Sequence, residues 1–90
     1  MDMAAFDGQW KVRRESGLLP PFGIRKAIRG DRGWTKVAFV PLLPFRVDGL
    51  TLNYRLVPIR DELSLRDDGS LGGAGYFLGI PFCRFRMEPA

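Results

Sequence analysis

The sequence predicts an all-β protein: an antiparallel up-and-down meander of five to seven strands that curves into a half barrel or a small barrel. Apolar side chains alternate with polar ones through residues 50–57, as in a strand with one dry face. Residues 48–49 (Asp-Gly) and 67–70 (Asp-Asp-Gly-Ser) are hairpin turn signals. Glycines recur within residues 71–79 and favour the bends that a coiling sheet needs.

The first half of the chain begins with a strand in which Trp10 and Val12 share one side. Residues 16–23 contain two adjacent prolines and predict a loop or a short turn of helix, while residues 24–29 fit either a short strand or a helical turn. Asp-Arg-Gly at 31–33 predicts a turn, and residues 34–40 predict a strand that Pro41 and Pro44 then break.

The second half predicts a hairpin over residues 45–57 and a strand from Ile59, followed by the turn at 67–70. Asp61 interrupts the apolar face of that strand and is the one carboxylate predicted to point inward. Residues 82–87 alternate again and predict the closing strand, with Cys83 as small inward filler rather than a nucleophile.

Composition limits the chemistry that this chain can support. Ninety residues predict a single domain spanning 1–90, and the formal charge of +4 is spread along the length. There is no histidine and one cysteine, so we expect no metal, no cofactor and no catalytic residues. The sequence shows no signal peptide and no membrane-spanning run, so we expect a cytoplasmic protein without a membrane partner.

The opening segment Phe6-Asp7-Gly8-Gln9-Trp10 resembles the Gly-x-Trp strand of lipocalin-like (calycin) barrels. The resemblance implies a cup that holds a small apolar molecule, with the tryptophan plugging its closed end. It also implies an arginine of the closing strand, Arg84 or Arg86 here, packed over that tryptophan as a cation–π pair.

The chain also looks like the carboxy-terminal half of an uncharacterised bacterial family at residues 47–49, 54, 58–61, 67–68 and 71–72 and in the regions of Phe77 and Phe85. That family carries a Gly-x-Trp-x-Gly motif in its other half. Residues 33–36 (Gly-Trp-Thr-Lys) are similar to the motif, although Thr35 replaces its second glycine. This resemblance implies no known chemistry.

The expected strand count bears on assembly. Five to seven strands would leave two sheet edges open and an apolar face half covered. We therefore expect a homodimer in which a second copy completes the barrel.

Alternation places a set of apolar and polar side chains on the inner face, where a small hydrophobic ligand would bind. The predicted ligand-binding residues are Trp10, Trp34, Leu52, Tyr54, Leu56, Asp61, Leu63, Tyr76 and Phe85. If the ligand carried a carboxylate, Arg46 or Arg55 could pair with it, although both are predicted to face outward.

Three classes of function are compatible with these features. The first is non-enzymatic binding of a small hydrophobic molecule in the barrel or dimer cavity. The second is a cofactor-free cyclase or isomerase using Tyr54, Tyr76 or Asp61 as an acid. The third is an interaction module for a polyanion, although dispersed arginines are not typical of a nucleic-acid partner.

Overall fold

The computed structural model describes residues 6–19, 23–37 and 40–90. They form one closed barrel of eight antiparallel strands, in which each strand pairs with the next and the last pairs with the first. The predicted fold class, an all-β antiparallel meander, is confirmed. The strands are β1 Gly8–Gly17, β2 Ile24–Arg29, β3 Arg32–Val37, β4 Val40–Asp48, β5 Thr51–Tyr54, β6 Ile59–Leu65, β7 Leu71–Phe77 and β8 Ile80–Pro89.

The prediction of five to seven strands is wrong because two segments with unclear patterns are strands. The segment left open between strand and helical turn is β2, in which Ile24, Lys26 and Ile28 are buried while Arg25 and Arg29 are exposed. A lysine at the centre of the inner face concealed the alternation that defines the strand.

The second such segment is β4, which continues through Pro41 and Pro44, where the sequence predicted a break. Strand β5 pairs only with residues 45–48 of β4, so the earlier part of β4 has a ladder partner on the β3 side alone. Proline is tolerated on such a locally unpaired edge, because no neighbour there requires its missing N–H. The predicted strand 34–40 is correspondingly divided: β3 ends at Val37 and β4 starts at Val40, with residues 38–39 outside the described residues.

The turns follow the predicted chemistry with one shift. The turns at 49–50 and 67–69 join β4 to β5 and β6 to β7, as their Asp-Gly signals predicted. The turn predicted at 31–33 lies instead at Gly30-Asp31, where Gly30 has a φ of +62°. A glycine at the first turn position accommodates that left-handed backbone, so the strand resumes at once with Arg32.

The barrel has two different ends. At one, here termed the closed end, the connections 30–31, 49–50 and 66–70 lie close to the packed core. The other, termed the open end, carries residues 18–19 and 23 and the connections 55–58 and 78–79. The core consists of buried apolar side chains from every strand except β3, together with one that precedes β1: Phe6, Val12, Ile24, Ile28, Phe45, Leu52, Leu63, Leu71, Cys83, Phe85 and Met87.

Trp10 packs against this core on the side of the closed end, and its indole Nε1 donates a 2.8 Å hydrogen bond to the carbonyl oxygen of Phe6. This is the position that the Gly-x-Trp resemblance implies. The implied arginine is not over the indole, however: Arg86 pairs with Asp68 and Glu88, and Arg84 is exposed. Both arginines alternate with the inward residues of β8, so they lie on the outer surface of the barrel wall.

Gly73 leaves room for a core side chain. A Cβ atom built there would lie 2.2 Å from the ring of Phe85, which is 2% exposed. The ring therefore covers the backbone of β7 directly, and the glycines predicted to bend the sheet also set how closely an aromatic ring approaches it.

Closure occurs within one chain. The ladder between β1 and β8 runs from Trp10↔Pro89 to Gly17↔Cys83 and completes the ring of hydrogen-bonded strands. A second copy is not needed to cover an open sheet, so the reason given for a homodimer no longer applies. The oligomeric state itself stays a prediction.

Candidate ligand-binding cavity

The barrel contains a cavity of about 200 Å³ between the core and the open end. Its walls are almost entirely apolar, and the few polar groups lie together on the side facing the core. The lining residues are Val12, Leu19, Ile24, Lys26, Thr35, Val37, Leu43, Tyr54, Ile59, Asp61, Phe82, Cys83 and Phe85. An apolar cavity of roughly 150 Å³ is known to hold a benzene molecule, so this cavity is large enough for a small organic ligand.

Four side chains from four strands form the polar floor of the cavity: Lys26 of β2, Thr35 of β3, Tyr54 of β5 and Asp61 of β6. Lys26 Nζ lies 3.0 Å from Asp61 Oδ2, and both side chains are about 5% exposed or less. Lys26 also donates hydrogen bonds to Thr35 Oγ1 at 2.7 Å and to the Tyr54 hydroxyl at 2.5 Å. The floor is thus a buried ion pair with two hydroxyl groups attached to it.

The hydroxyl and ammonium protons of these four residues all form hydrogen bonds within the cluster. Tyr54 donates its hydroxyl proton to Asp61 Oδ2 at 2.9 Å. The hydroxyls of Thr35 and Tyr54 are 2.6 Å apart, and Thr35 must be the donor because the proton of Tyr54 is already committed. The ammonium has three acceptors, and no buried side-chain nitrogen or oxygen among the described residues lacks a partner. The floor therefore has no hydrogen-bond donor left to bind an anion.

Aromatic rings surround the lysine ammonium. Lys26 Nζ lies 5.5 Å from the ring centroid of Phe45, 5.2 Å from that of Tyr54 and 5.4 Å from that of Phe85. The electron-rich faces of such rings attract a cation, and the attraction is stronger where water is excluded. The rings and Asp61 together offset part of the cost of removing the ammonium from water.

The pKa values of the floor residues keep their protons in place. Burial alone lowers the pKa of Lys26, but Tyr54 and Asp61 oppose it, and the net pKa of Lys26 is raised. Burial raises the pKa of Tyr54, and Asp61 adds to this, while Lys26 works against it. At neutral pH the lysine is therefore a cation and the tyrosine is a neutral hydrogen-bond donor.

These two shifts predict that stability falls at high pH. The ordinary pKa values are 10.5 for lysine and 10.0 for tyrosine, and folding raises both. Above them the folded protein binds more protons than the unfolded chain, so the free energy of unfolding has a negative slope with pH. The contribution is fully present below the unfolded pKa values and is lost as pH rises through the folded ones. Urea unfolding at about pH 8 and about pH 11 measures it.

The variant Tyr54→Phe removes one of the two groups, so its free energy of unfolding should decline less steeply between the same pH values than that of the wild type. A wild-type free energy that stays constant or rises over this interval would contradict the assignment of both groups to the buried floor.

Three of the predicted ligand-binding residues line the cavity: Tyr54, Asp61 and Phe85. Leu52 and Leu63 are inside the barrel, at 0% and 6% exposure, but they belong to the core beneath the floor. Alternation placed these five on the inner face, but it could not separate the half that is filled from the half that is hollow.

The remaining predicted residues do not reach the cavity. Trp10 lies toward the closed end, while Trp34 is 42% exposed because Gly33 and Thr35 are the inward residues of β3. Leu56 is 73% exposed because β5 ends at Tyr54 and the alternation does not continue. Tyr76 lies outside under the guanidinium of Arg60, 4.7 Å from its ring centroid, after a shift in register beside Gly75.

Sequence reasoning missed Lys26 and Thr35. The signal for Lys26 was present, since an inward Asp61 calls for a buried cation, and Lys26 lies between Ile24 and Ile28 in a period-two pattern. Arg46 and Arg55, considered as partners for an anionic ligand, are exposed as their predicted register implied, and neither lines the cavity.

Cys83 lines the cavity, but it is not activated. Burial raises the pKa of its thiol, which keeps the sulfur protonated and unreactive. Within the described ranges, no three Cys, Asp or Glu side chains are grouped so that they could hold a metal ion. Nor does any described segment form a helix with the length and hydropathy needed to cross a membrane.

The chain matches no known protein-family model and no curated protein.

Proposed function

We propose that this protein binds a small, uncharged hydrophobic molecule in the barrel cavity, without catalysing a reaction. The observation that carries the proposal is the combination of apolar walls with a polar floor whose protons are all committed internally. Water inside such a cavity gains few hydrogen bonds, so displacing it by apolar atoms is favourable. The resemblance of residues 6–10 to the lipocalin opening strand supports the same function.

The floor argues for a neutral ligand. An incoming carboxylate would meet the Asp61 carboxylate beside Lys26, the one cation among the described residues that line the cavity, and Lys26 already has three acceptors. A buried anion without a partner is costly, so the charged form of a ligand should bind far more weakly than its neutral analogue. The volume of about 200 Å³ selects molecules of one or two rings or a short acyl chain.

Binding can be tested with the uncharged fluorescent dye 1-naphthylamine, whose two fused rings are within the size that the cavity selects. We expect enhanced emission with wild type, displaced by short-chain alcohols or esters at concentrations at least about tenfold lower than by the matching carboxylates at neutral pH. Val12→Phe places a ring in the cavity and should weaken dye binding by about tenfold or more. Leu65→Phe enlarges an exposed side chain near the closed end, 72% exposed, and is the matched control.

If Val12→Phe folds with wild-type cooperativity and binds the dye as tightly as Leu65→Phe does, the cavity is not the binding site. Native mass spectrometry of the protein as purified complements this measurement, because it reports both the subunit number and any retained small molecule.

A cofactor-free isomerase is the second candidate, favoured by the Tyr54 hydroxyl. It lies at the cavity surface between Lys26 and Asp61, a site at which a side chain could protonate a bound substrate. Tyr54→Phe discriminates between the candidates. Retained dye binding with loss of a measured turnover would support the enzyme, whereas the absence of any turnover in the wild type leaves the binding function.

A further inference from the structure

The open end of the barrel exposes a group of large apolar side chains. Of the eight large hydrophobic residues exposed in the described part of the chain, all except Trp34 and Leu65 lie there. These residues, the apolar rim, are Leu18, Val37, Leu56, Phe77, Leu78 and Ile80. Leu18 is 81% exposed and Leu56 73% exposed, so these side chains are not turned back into the cavity. A concentration of exposed apolar residues at one end of a small protein marks an interaction surface.

Charge is also divided between the two ends. The described residues of the open-end connections, 18–19, 23, 55–58 and 78–79, include no carboxylate and one cation, Arg55. The closed-end connections contain three carboxylates, Asp31, Asp67 and Asp68, against one cation, Arg66. The open end is therefore both apolar and electropositive, while the acidic turns face the other way.

Other charges near the open end reinforce this division. Arg25 and Lys36 lie one residue from the open ends of β2 and β3. Two outward carboxylates on the adjoining strands are engaged: Glu62 accepts a hydrogen bond of 2.9 Å from Arg60, and Glu15 binds Arg66 of the closed-end connection through two hydrogen bonds of 2.6 Å.

The turn between β7 and β8 presents its leucine at a conformational cost. Leu78 has a φ of +51° and is the one residue other than glycine with positive φ in the described part of the chain. Asparagine or glycine would occupy this position more easily, and the leucine side chain is 69% exposed, so burial within the barrel does not explain it.

We propose that the open end docks on the surface of an anionic lipid bilayer, with the apolar rim in the interfacial region and the surrounding basic residues beside the lipid headgroups. A bilayer of this kind supplies both negative charge and an apolar interior, which matches the two properties of this end. A second copy of the chain is a less suitable partner, because its open end would carry the same positive charge and repel the first. A nucleic acid would favour aromatic stacking groups over a rim that is mostly aliphatic.

This surface differs from a membrane span. The sequence predicted no membrane partner because it has no run long enough to cross a bilayer, and docking at an interface does not require one. If the proposed ligand-binding function also holds, docking directs the open end of the cavity toward the lipid. Of the described residues named for the two proposals, Val37 is shared, but the variants that test each proposal are at other positions, so the proposals can fail separately.

Vesicle sedimentation with the full chain tests the docking proposal. We expect binding to phosphatidylcholine vesicles that contain about one quarter phosphatidylglycerol, with binding lost on pure phosphatidylcholine and weakened by high salt. The double variant Leu56→Ser with Leu78→Asn should bind these vesicles at least about tenfold more weakly. Asparagine suits the backbone at 78, so this variant is expected to fold. Leu65→Ser, near the closed end, is the control with unchanged binding.

The proposal is overturned if wild type does not bind the anionic vesicles or if the double variant binds as wild type does. Equal retention of both proteins on a sulfated polysaccharide, without vesicle binding, would assign the basic residues to a polyanion. A concentration-dependent dimer that the double variant abolishes would assign the rim to a second copy. Dye binding in vesicle-free solution is measured in parallel: its retention in the double variant separates loss of docking from loss of the cavity.

Discussion

Asp61→Asn is expected to destabilise the fold by about 3–5 kcal/mol, because it leaves the buried Lys26 ammonium without a counterion. Lys26 is 3% exposed, so water cannot solvate its ammonium group as it solvates that of a surface lysine. Loss of the charge also weakens the hydrogen bond that Tyr54 donates to this carboxylate at 2.9 Å. The free energy of unfolding from urea denaturation near neutral pH measures the effect.

Glu62, next to Asp61 in the sequence, provides a matched control for Asp61→Asn. Glu62→Gln makes the same change from carboxylate to amide in the same strand, but Glu62 and its partner Arg60 are 47% and 43% exposed. Water screens that pair, so we expect a loss of less than about 1 kcal/mol. Similar losses for Asp61→Asn and Glu62→Gln would show that Lys26 and Asp61 are not a dry ion pair.

A double replacement separates the net contribution of the Lys26–Asp61 ion pair to stability from the cost of removing only one of its two charges. In Lys26→Met with Asp61→Leu, no charge remains uncompensated, and the Thr35 and Tyr54 hydroxyls, 2.6 Å apart, can still bond to each other. We expect a free energy of unfolding within about 1–2 kcal/mol of wild type, or above it. A double variant as unstable as the sum of the single losses would mean that the network, rather than charge balance, stabilises this layer.

Gly73→Ala is expected to cost about 1–3 kcal/mol or more, because the added methyl overlaps the buried ring of Phe85 and displacing that ring disrupts its packing against the core. The new Cβ would lie 2.2 Å from Phe85, whose ring is buried beneath the ammonium of Lys26 at 5.4 Å. The melting temperature and the free energy of unfolding should both fall. Adding Phe85→Leu should restore part of the loss, since the smaller side chain vacates the space that the methyl needs.

Gly72→Ala is the control for this prediction. It lies on the same strand and faces outward, where its Cβ would meet the guanidinium of Arg66 at 2.6 Å, the flexible end of a side chain. Arg66 can rotate away at the cost of weakening its exposed pair with Glu15, which water already screens, so the effect on stability should be small. If Gly72→Ala destabilises as much as Gly73→Ala, the cost belongs to the strand backbone and not to packing against Phe85.

Local patterns in the sequence predicted the antiparallel barrel because hairpin turns and period-two alternation act between neighbouring residues. The Asp-Gly turn at 48–49 and the inward position of Asp61 are of this kind. The number of strands was harder to predict, because in β2 and β4 contacts with residues far away in the sequence override the local sequence pattern. Lys26 interrupts an apolar face because Asp61 is across the barrel, and Pro41 and Pro44 fit a strand because β5 stops at Tyr54.

The candidate site was partly predictable for the same reason. Alternation identifies inward residues such as Tyr54, Asp61 and Phe85, but it does not give their height along the barrel axis. That height depends on the register of all eight strands around the ring. The apolar rim was harder to foresee, since exposure of Leu56 and Leu78 depends on where β5 and β7 end.

Closure of the sheet within one chain also bears on aggregation. Strands that are paired on both sides offer no template to which another molecule can add, and a barrel removes the free edges at which fibrils begin. The ladder is interrupted on the β5 side of β4 at residues 40–44, where the carbonyl oxygen of Pro44 still accepts a hydrogen bond from the amide of Arg55, and this stretch contains Pro41 and Pro44. Neither proline has an amide hydrogen to offer an incoming strand. The two prolines therefore disfavour the addition of another strand at this unpaired part of β4, and the same two prolines made the segment hard to recognise as a strand.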